Sequence, residues 1–291
     1  MSRSRLTLRR REALTGLGFA ALPLLGFLVF YIVPFGVTIG KTLMDGIAGT
    51  RFIGLGNYVS VLSSPAFRLA AGNTLKFIIV GVPLLMALSL GVALLLRAGL
   101  KGADFFRAAY VVPLVLPVAT VAQVFGILFG NGGAVNYALR ALGLPAVNFL
   151  GSGDAFWVLI LLYLWKNMGY GVILMLSGLM QIPKEYYEAA RVDGAGGFYQ
   201  LSRITLPLMA PTFLFMTVIS VTFSFKSFRE AYALAGNYPD SSIYMLQHFM
   251  TNNFANLNYA RLSVAAVMTF LVIFTFVLLI FFRRERGGEA E

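Results

Sequence analysis

The sequence contains no cysteine, a single histidine and few charged residues. The absence of cysteine excludes disulfide bonds and thiolate metal sites, and one histidine, His248, cannot supply a histidine-rich metal centre. Charged residues make up only 12% of the 291 residues, against roughly 25% in a typical soluble domain. Because hydrophobic residues reach 58%, a soluble fold of this length could not bury them all. The composition therefore indicates a protein whose surface is largely covered by lipid.

Long stretches without charge indicate where the chain crosses a bilayer, since a helix needs about 20 mostly apolar residues to span the hydrocarbon core. Five stretches are uninterrupted, and a sixth, from Phe156 to Leu179, is interrupted by Lys166 and Asn167. The pattern predicts an all-α integral membrane protein with six transmembrane helices at residues 14–39, 75–96, 108–130, 155–180, 209–232 and 261–282. Residues 241–260 also lack charge, but their asparagines and His248 predict an interfacial or external segment.

Lysine and arginine are distributed unequally between the two sets of loops. The side that holds both termini carries Arg3, Arg5, Arg9, Arg10, Arg11, Arg97, Lys101, Arg107, Lys184, Arg191, Arg203, Arg283, Arg284 and Arg286. The opposite loops carry Lys41, Arg51, Arg68 and Arg140. The positive-inside rule then predicts that both termini are cytoplasmic. The net charge of +11 is explained by this asymmetry, so binding to nucleic acid is not expected.

Three regions follow from this topology. Residues 1–13 form a basic cytoplasmic amino terminus, residues 14–283 a transmembrane domain, and residues 284–291 a cytoplasmic tail. The first apolar run is too long for a typical signal peptide, and we interpret it as a signal anchor. A cytoplasmic loop at about 181–208 joins the fourth and fifth helices.

The cytoplasmic loop has the sequence features of a short helix. Pro183 suits the first turn, where its missing N–H is harmless, and Glu185 favours the positive end of the helix dipole. Ala189 and Ala190 are good helix formers with side chains small enough for close approach to another surface. Gly194 can take the left-handed conformation that ends a helix. An ordinary amphipathic connector remains the alternative interpretation.

The loop also carries a specifically spaced motif: Glu188-Ala189-Ala190, then Asp193-Gly194-Ala195, then Ile204-x-Leu206-Pro207. This pattern closely resembles the EAA loop of binding-protein-dependent ABC importer permeases, in the carbohydrate-uptake branch that includes the maltose and glycerol-phosphate permeases. Weaker resemblances, such as Asn57-Tyr58 and Asn73-Thr74-Leu75, extend the similarity over nearly the whole chain. The implied fold is that of a type I ABC importer permease.

The resemblance implies a set of partners in a bacterial cytoplasmic membrane. These are a second permease subunit, which is usually a different chain, two ABC ATPase subunits on the cytoplasmic side, and an extracytoplasmic solute-binding protein. The EAA helix would couple the permease to the ATPase. The residues implied in coupling are Glu185, Glu188, Ala189, Ala190, Arg191, Asp193, Gly194 and Ala195.

Nucleotide chemistry is expected in the ATPase subunits and not in this chain. The segment from Gly36 to Thr42 has three residues between its glycines, whereas a phosphate-binding loop has four. ATP and Mg²⁺ would therefore be bound by the partners, with no cofactor and no catalytic residue here. The alternative is a secondary transporter, or another polytopic membrane protein without an ATPase, and it would need its own intramembrane coupling carboxylate. Glu230 is a poor candidate for that role.

Polar residues at membrane depth are costly and usually face a cavity or a partner, which makes them candidates for the substrate path. Aromatic side chains that stack on sugar rings lie among them. The candidates are Trp165, Lys166, Asn167, Tyr170, Lys226, Arg229, Glu230 and Tyr232. The alternative for the fifth helix is that Lys226 and Glu230, four residues apart, form a structural ion pair on one helix face. Lys166 is predicted to face the protein interior.

Overall fold

The computed structural model describes residues 8–45, 51–99, 109–110 and 112–288. These residues form two compact units. The first comprises the described residues up to Ser63 together with Asn253–Ile273, and the second comprises those of Ser64–Asn252 together with the described residues after Ile273. The predicted amino-terminal region up to residue 7, Lys101, Arg107 and the last residues of the predicted tail lie outside the described residues.

The first unit begins with two helices that a short π-helical turn joins. Helix α1 (Leu8–Phe27) continues through the turn Leu28–Ile32 into α2 (Val33–Thr42). Two short antiparallel strands, β1 (Met44–Asp45) and β2 (Arg51–Phe52), precede α3 (Gly56–Ser63). The Asn57 side chain donates to the Thr42 carbonyl at 2.9 Å and to the Met44 carbonyl at 2.8 Å. These bonds hold α3 against the end of α2.

The second unit is built around two long helices. Its elements are α4 (Pro65–Arg97), α5 (Val118–Phe129), α6 (Ala134–Ala141), α7 (Ala155–Met180), α8 (Lys184–Val192), α9 (Gly197–Gln200), the π-helical turn Leu201–Thr205, α10 (Leu206–Leu208), α11 (Ala210–Lys226), α12 (Phe228–Ala235), the 3₁₀ turn Ser241–Ile243, α13 (Leu246–Ala255) and α14 (Tyr259–Gly288). Helix α13 belongs to this unit up to Asn252 and α14 from Phe274 onward, while Asn253–Ile273 belong to the first unit.

Helices α4, α7 and α11 form the core of the second unit. A Cβ on Gly81 of α4 would lie 3.3 Å from the Tyr163 ring of α7, so glycine permits the two helices to approach closely. A Cβ on Gly178 of α7 would lie 2.5 Å from the Thr212 hydroxyl of α11. The Tyr163 hydroxyl donates to the Ser220 carbonyl at 2.9 Å. The core is therefore a close crossing of helices through small residues, as is common where lipid surrounds the protein.

Within the described residues, six helical stretches are long and apolar enough to cross a membrane, which confirms the predicted number. They are Thr15–Thr42, Pro65–Arg97, Val118–Ala141, Ala155–Met180, Ala210–Ala235 and Tyr259–Leu279. The segment 241–260 is not among them. Many apolar side chains on these helices are exposed in the isolated chain, as expected of surfaces that meet lipid or another subunit.

Two predicted boundaries are wrong. The second helix begins at Pro65 and not at 75, because Arg68 and Lys76 lie inside α4. A charge-free run marks the part of a helix that fits the bilayer, but not its ends. The third predicted helix, 108–130, is not continuous. Residues 112–115 are helical, but Leu116 and Pro117 leave the helix and α5 starts at Val118. Pro117 has an extended backbone with ψ 136°, and its ring disfavours a helical conformation for the residue before it.

Candidate functional site

Helix α8, in the loop with the EAA-like motif, is a single short helix with well-defined ends. Pro183, with φ −56°, is the residue just before the helix, whereas the sequence predicts it inside the first turn. Gly194 follows it at φ +77°, which confirms the predicted left-handed stop. The amide of Ala195 donates to the Ala190 carbonyl at 2.8 Å, and the amide of Gly194 donates to the Arg191 carbonyl at 3.1 Å. This pair of bonds is the Schellman motif.

Most of the surface of α8 is exposed, including Glu188, which lines a groove together with Tyr187. Glu185, Glu188 and Ala189 are exposed, and Val192 is 89% exposed. Within the part of the chain that the structure describes, the Glu188 carboxylate forms no hydrogen bond or ion pair. A free carboxylate beside small alanine side chains is suited to a charged contact with another protein surface. The remaining predicted coupling residues lie on or just after the same helix: Ala190, Arg191, Asp193, Gly194 and Ala195.

The inner face of α8 is anchored by Tyr187. Its hydroxyl accepts a hydrogen bond from Arg97 Nη1 at 3.1 Å and lies 3.0 Å from the Thr205 hydroxyl. The Arg97 guanidinium also stacks over the Tyr187 ring, with 4.7 Å between Cζ and the ring centroid. Arg191 Nε donates to the Tyr187 carbonyl at 3.2 Å. A groove of about 650 Å³ runs between this face and the end of α4.

The sequence did not single out Tyr187 or its two partners. A sign of this face was present in the sequence. Lys184, Tyr187 and Arg191 have helical spacing, so they lie on one face of α8, and all three line the groove. The positions of Arg97 and Thr205 opposite that face could not be read from the sequence, because both are distant along the chain.

Among the predicted path residues, Lys166 and Glu230 meet directly. The Lys166 ammonium of α7 donates a hydrogen bond to Glu230 Oε1 of α12, and the two groups form an ion pair. Glu230 is 4% exposed, and its second oxygen, Oε2, is buried without a hydrogen-bond partner in the described residues. The alternative pairing of Glu230 with Lys226 is therefore wrong. Lys226 is exposed and lies 5.8 Å from the Phe223 ring centroid.

The other predicted path residues do not gather around this pair. Asn167 donates to the Tyr163 carbonyl of its own helix at 2.8 Å, which satisfies its amide locally. Tyr170 packs edge-on against Phe223 at 5.5 Å. Trp165 contacts Phe125 and lines an apolar groove of about 510 Å³ beside α5. Arg229 and Tyr232 are exposed on α12.

The segment after α12, which is predicted to be external, is hydrogen-bonded to α4. Asn73 donates to the carbonyls of Ser241 and Tyr244, and Thr74 accepts from the Leu246 amide at 3.0 Å. These bonds give a structural role to Asn73 and Thr74, which carried part of the family resemblance. They fix residues 241–246 against the beginning of α4.

His248 lies at the centre of this segment and is fully buried. Its Nδ1 accepts from the Met245 amide at 3.1 Å, and its ring stacks on Tyr244 and meets Phe228 edge-on. Burial lowers the pKa of His248 to about 4, so the ring is neutral at physiological pH. Hydrogen bonding from the Ser242 side chain, and next from the Ser242 amide, lowers the pKa of Asp240. The sequence offered a lone histidine but no sign of this packing role.

Neither metal binding nor nucleotide binding has a visible site in the described residues. No three His, Asp or Glu side chains gather there closely enough to hold a metal ion. The segment from Gly36 to Thr42 lies inside helix α2, so it is not a phosphate-binding loop.

Comparison with known proteins identifies close similarity along most of the chain. The family model described as binding-protein-dependent transport system inner membrane component matches residues 84–285. The trehalose/maltose transport system permease protein MalF of Thermococcus litoralis is 32% identical over 92% of this chain and 93% of its own. The arabinooligosaccharides transport system permease protein AraP of Bacillus subtilis is 31% identical over 75% of this chain and 71% of its own.

A similar fold also occurs among solved structures. A chain of a bacterial ABC transporter involved in the import of the acidic polysaccharide alginate superposes with a TM-score of 0.78. The two chains are 23% identical, and the match covers 96% of this chain and 98% of the other. The helix arrangement described above is thus shared with an importer of known structure.

Proposed function

The chain belongs to the family of binding-protein-dependent transport system inner membrane components, and we propose that it carries a sugar or oligosaccharide in an ATP-driven importer. It is a multi-pass inner membrane protein and a transport component, not an enzyme. The specific proposal concerns its partners, its cargo and the residues that serve each.

Helix α8 is the observation that carries the proposal. The exposed carboxylate of Glu188 forms no hydrogen bond or ion pair among the described residues, and the helix ends at the left-handed Gly194. The helix projects such a group from a loop between two spans, where an ATPase subunit could dock. A basic group of the ATPase would donate a charge-assisted hydrogen bond to Glu188, which is stronger than a neutral one.

The assembly that fits this surface contains four membrane-associated subunits. A second permease pairs with this chain, and two ATPase subunits bind ATP and Mg²⁺ on the cytoplasmic side. A binding protein delivers the solute from outside. Closure of the ATPase pair on ATP moves α8, and the attached spans change from an inward-open to an outward-open arrangement.

The sugar class rests on the relatives and on the side chains at membrane depth. The relatives named above transport trehalose and maltose or arabinooligosaccharides, according to their names. In this chain, the predicted path residues include the aromatic side chains of Tyr170, which packs against Phe223, and of the exposed Tyr232, as well as the polar side chain of Lys226. Aromatic faces with polar groups beside them are suited to sugars, since they contact both ring carbons and hydroxyls.

The ion pair weakens the alternative of a secondary transporter. Glu230 is the sole Asp or Glu within the six membrane-spanning stretches of the described chain. Because its Oε1 is bound to Lys166, it is not a free coupling carboxylate of the kind that ion-driven transport requires.

Purification of the tagged chain from its native membranes in mild detergent tests the partner assignment. We expect an ATPase subunit and a second permease to co-purify in stoichiometric amounts. Mass spectrometry of the binding protein that associates with this complex should identify a bound saccharide. Recovery of the chain without an ATPase, from membranes in which the chain is active, would contradict the proposal.

A further inference from the structure

Tyr187 is the point where the side chains of α8 connect to helices that enter the membrane. Arg97, which its hydroxyl contacts, is the last residue of α4. Thr205 is the last residue of the π-helical turn that leads through α10 into α11. One phenol group therefore links a cytoplasmic helix to the ends of two spans that pack together in the core.

The hydrogen bonds of Tyr187 and Thr205 are compatible with one another. The Thr205 hydroxyl lies 3.3 Å from the Gln200 carbonyl, which can only accept. Arg97 donates to the Tyr187 hydroxyl, and when Thr205 donates to Gln200 the Tyr187 proton is available to donate to Thr205, so one arrangement satisfies all these contacts. In this series of hydrogen bonds, from Arg97 through Tyr187 and Thr205 to Gln200, each of the two hydroxyl groups has a partner. Thr205 is only 3% exposed, so water competes weakly for the Tyr187–Thr205 bond.

The flanking chain provides a looser connection. After α8, the left-handed Gly194 is followed by Gly196 and Gly197, and a Cβ on any of the three would meet no atom within 4 Å. Such a segment can change its backbone angles at low cost. If the hydrogen bonds of Tyr187 were absent, α8 could move while α4 and α11 stayed in place.

We infer that Tyr187 is a positioning residue that transmits displacement of α8 to α4 and α11 during transport. This inference rests on the proposed function, because it assumes that an ATPase moves α8. Two hydrogen bonds of the Tyr187 hydroxyl group, to Arg97 and to Thr205, make α8 and the two spans move together.

The test compares Tyr187→Phe with wild type in the intact importer complex in liposomes. The substitution removes the hydroxyl and leaves the ring that stacks on Arg97. We expect complex assembly and ATP hydrolysis to stay within about twofold, while uptake falls by at least about fivefold, because two hydrogen bonds are lost and one net hydrogen bond corresponds to about that factor. The number of ATP molecules hydrolysed per solute should rise accordingly.

Tyr186→Phe is a matched control, because Tyr186 is 54% exposed and forms no hydrogen bond through its hydroxyl in the described residues. Thr205→Val removes the other end of the link and should raise the same ratio. Combining it with Tyr187→Phe should add little, since both changes break the same Tyr187–Thr205 bond.

Three results would overturn the inference. Wild-type uptake and coupling in Tyr187→Phe would show that the link carries no motion. Loss of the assembled complex would show that the hydroxyl supports the fold instead. Absence of ATP-dependent uptake in the wild-type complex would refute the proposed function, and the inference with it. The first two results would leave the proposed function intact.

Discussion

Lys166 of α7 and Glu230 of α12 form an ion pair, although 64 positions separate them in the chain. Glu230 is almost completely buried, and the Lys166 side chain is 14% exposed. Removing one partner of a buried pair leaves the other charge uncompensated, whereas removing both can be nearly neutral. The pair thus allows a structural role to be separated from contact with the solute.

Lys166→Met should destabilise the purified complex by roughly 3–5 kcal/mol, because it strands the Glu230 carboxylate. The double variant Lys166→Met/Glu230→Leu should recover most of this stability. Thermal unfolding and solute uptake are measured on the same preparations, with Lys226→Met, an exposed lysine of α11, as the control for stability. If stability returns in the double variant but uptake does not, the Lys166–Glu230 pair is needed for transport in addition to its contribution to stability. Unchanged stability in Lys166→Met would contradict the structural role.

Gly194→Val should impair coupling, because a β-branched residue tolerates φ +77° poorly. The cost arises from backbone conformation alone, since a Cβ at Gly194 would meet no atom within 4 Å. We expect normal insertion with weakened ATPase association or lost stimulation of hydrolysis. Gly196→Val is the matched control, because Gly196 is extended at φ −70°, ψ 166°. Equal effects of the two substitutions would show that the left-handed stop is not what matters.

Sequence reasoning succeeded where a local property determines the structure. The six spans follow from charge-free runs, and the conformation of Gly194 follows from helix-ending chemistry. It failed where the structure depends on contacts between residues that are distant along the chain. The partner of Glu230 is on another helix, and Lys226, its neighbour in sequence, forms no pair with it. Tyr187 is likewise explained by Arg97 and Thr205, whose positions depend on how the spans pack.

The stability of the segment around His248 should depend on pH. The pKa of the His248 side chain, about 4, lies below the value of roughly 6.5 for an exposed histidine. Between these values the unfolded segment binds a proton that the folded segment does not, so stability is full above pH 6.5 and falls as the pH decreases toward 4. The melting temperature of the purified protein should therefore drop between pH 7 and 5.

His248→Asn isolates this effect, because the chain has no other histidine. An asparagine can still accept from the Met245 amide but does not titrate. The variant should be less stable at pH 7, owing to lost ring packing, and should show a shallower slope with pH. A slope equal to that of wild type would mean that another group is responsible.

Membrane topology can be tested with single cysteines, because the chain has none of its own. Arg191 and Arg140 are both exposed in the structure and are predicted to lie on opposite sides. An impermeant thiol reagent should label Arg140→Cys in intact cells, and Arg191→Cys only after lysis. Asn57, predicted to be external, is buried and hydrogen-bonded, so it is a poor probe. Labelling at position 191 but not at 140 in intact cells would invert the topology.

In the proposed function, ATP hydrolysis by a partner drives sugar import through this chain by way of α8. The most direct measurement is uptake of the labelled saccharide by liposomes that contain the purified complex, with ATP inside and the loaded binding protein outside. We expect accumulation that needs ATP, is blocked by vanadate, and is lost in Glu188→Ala and Gly194→Val. Accumulation driven by an ion gradient without ATP, or unaffected by vanadate, would contradict it.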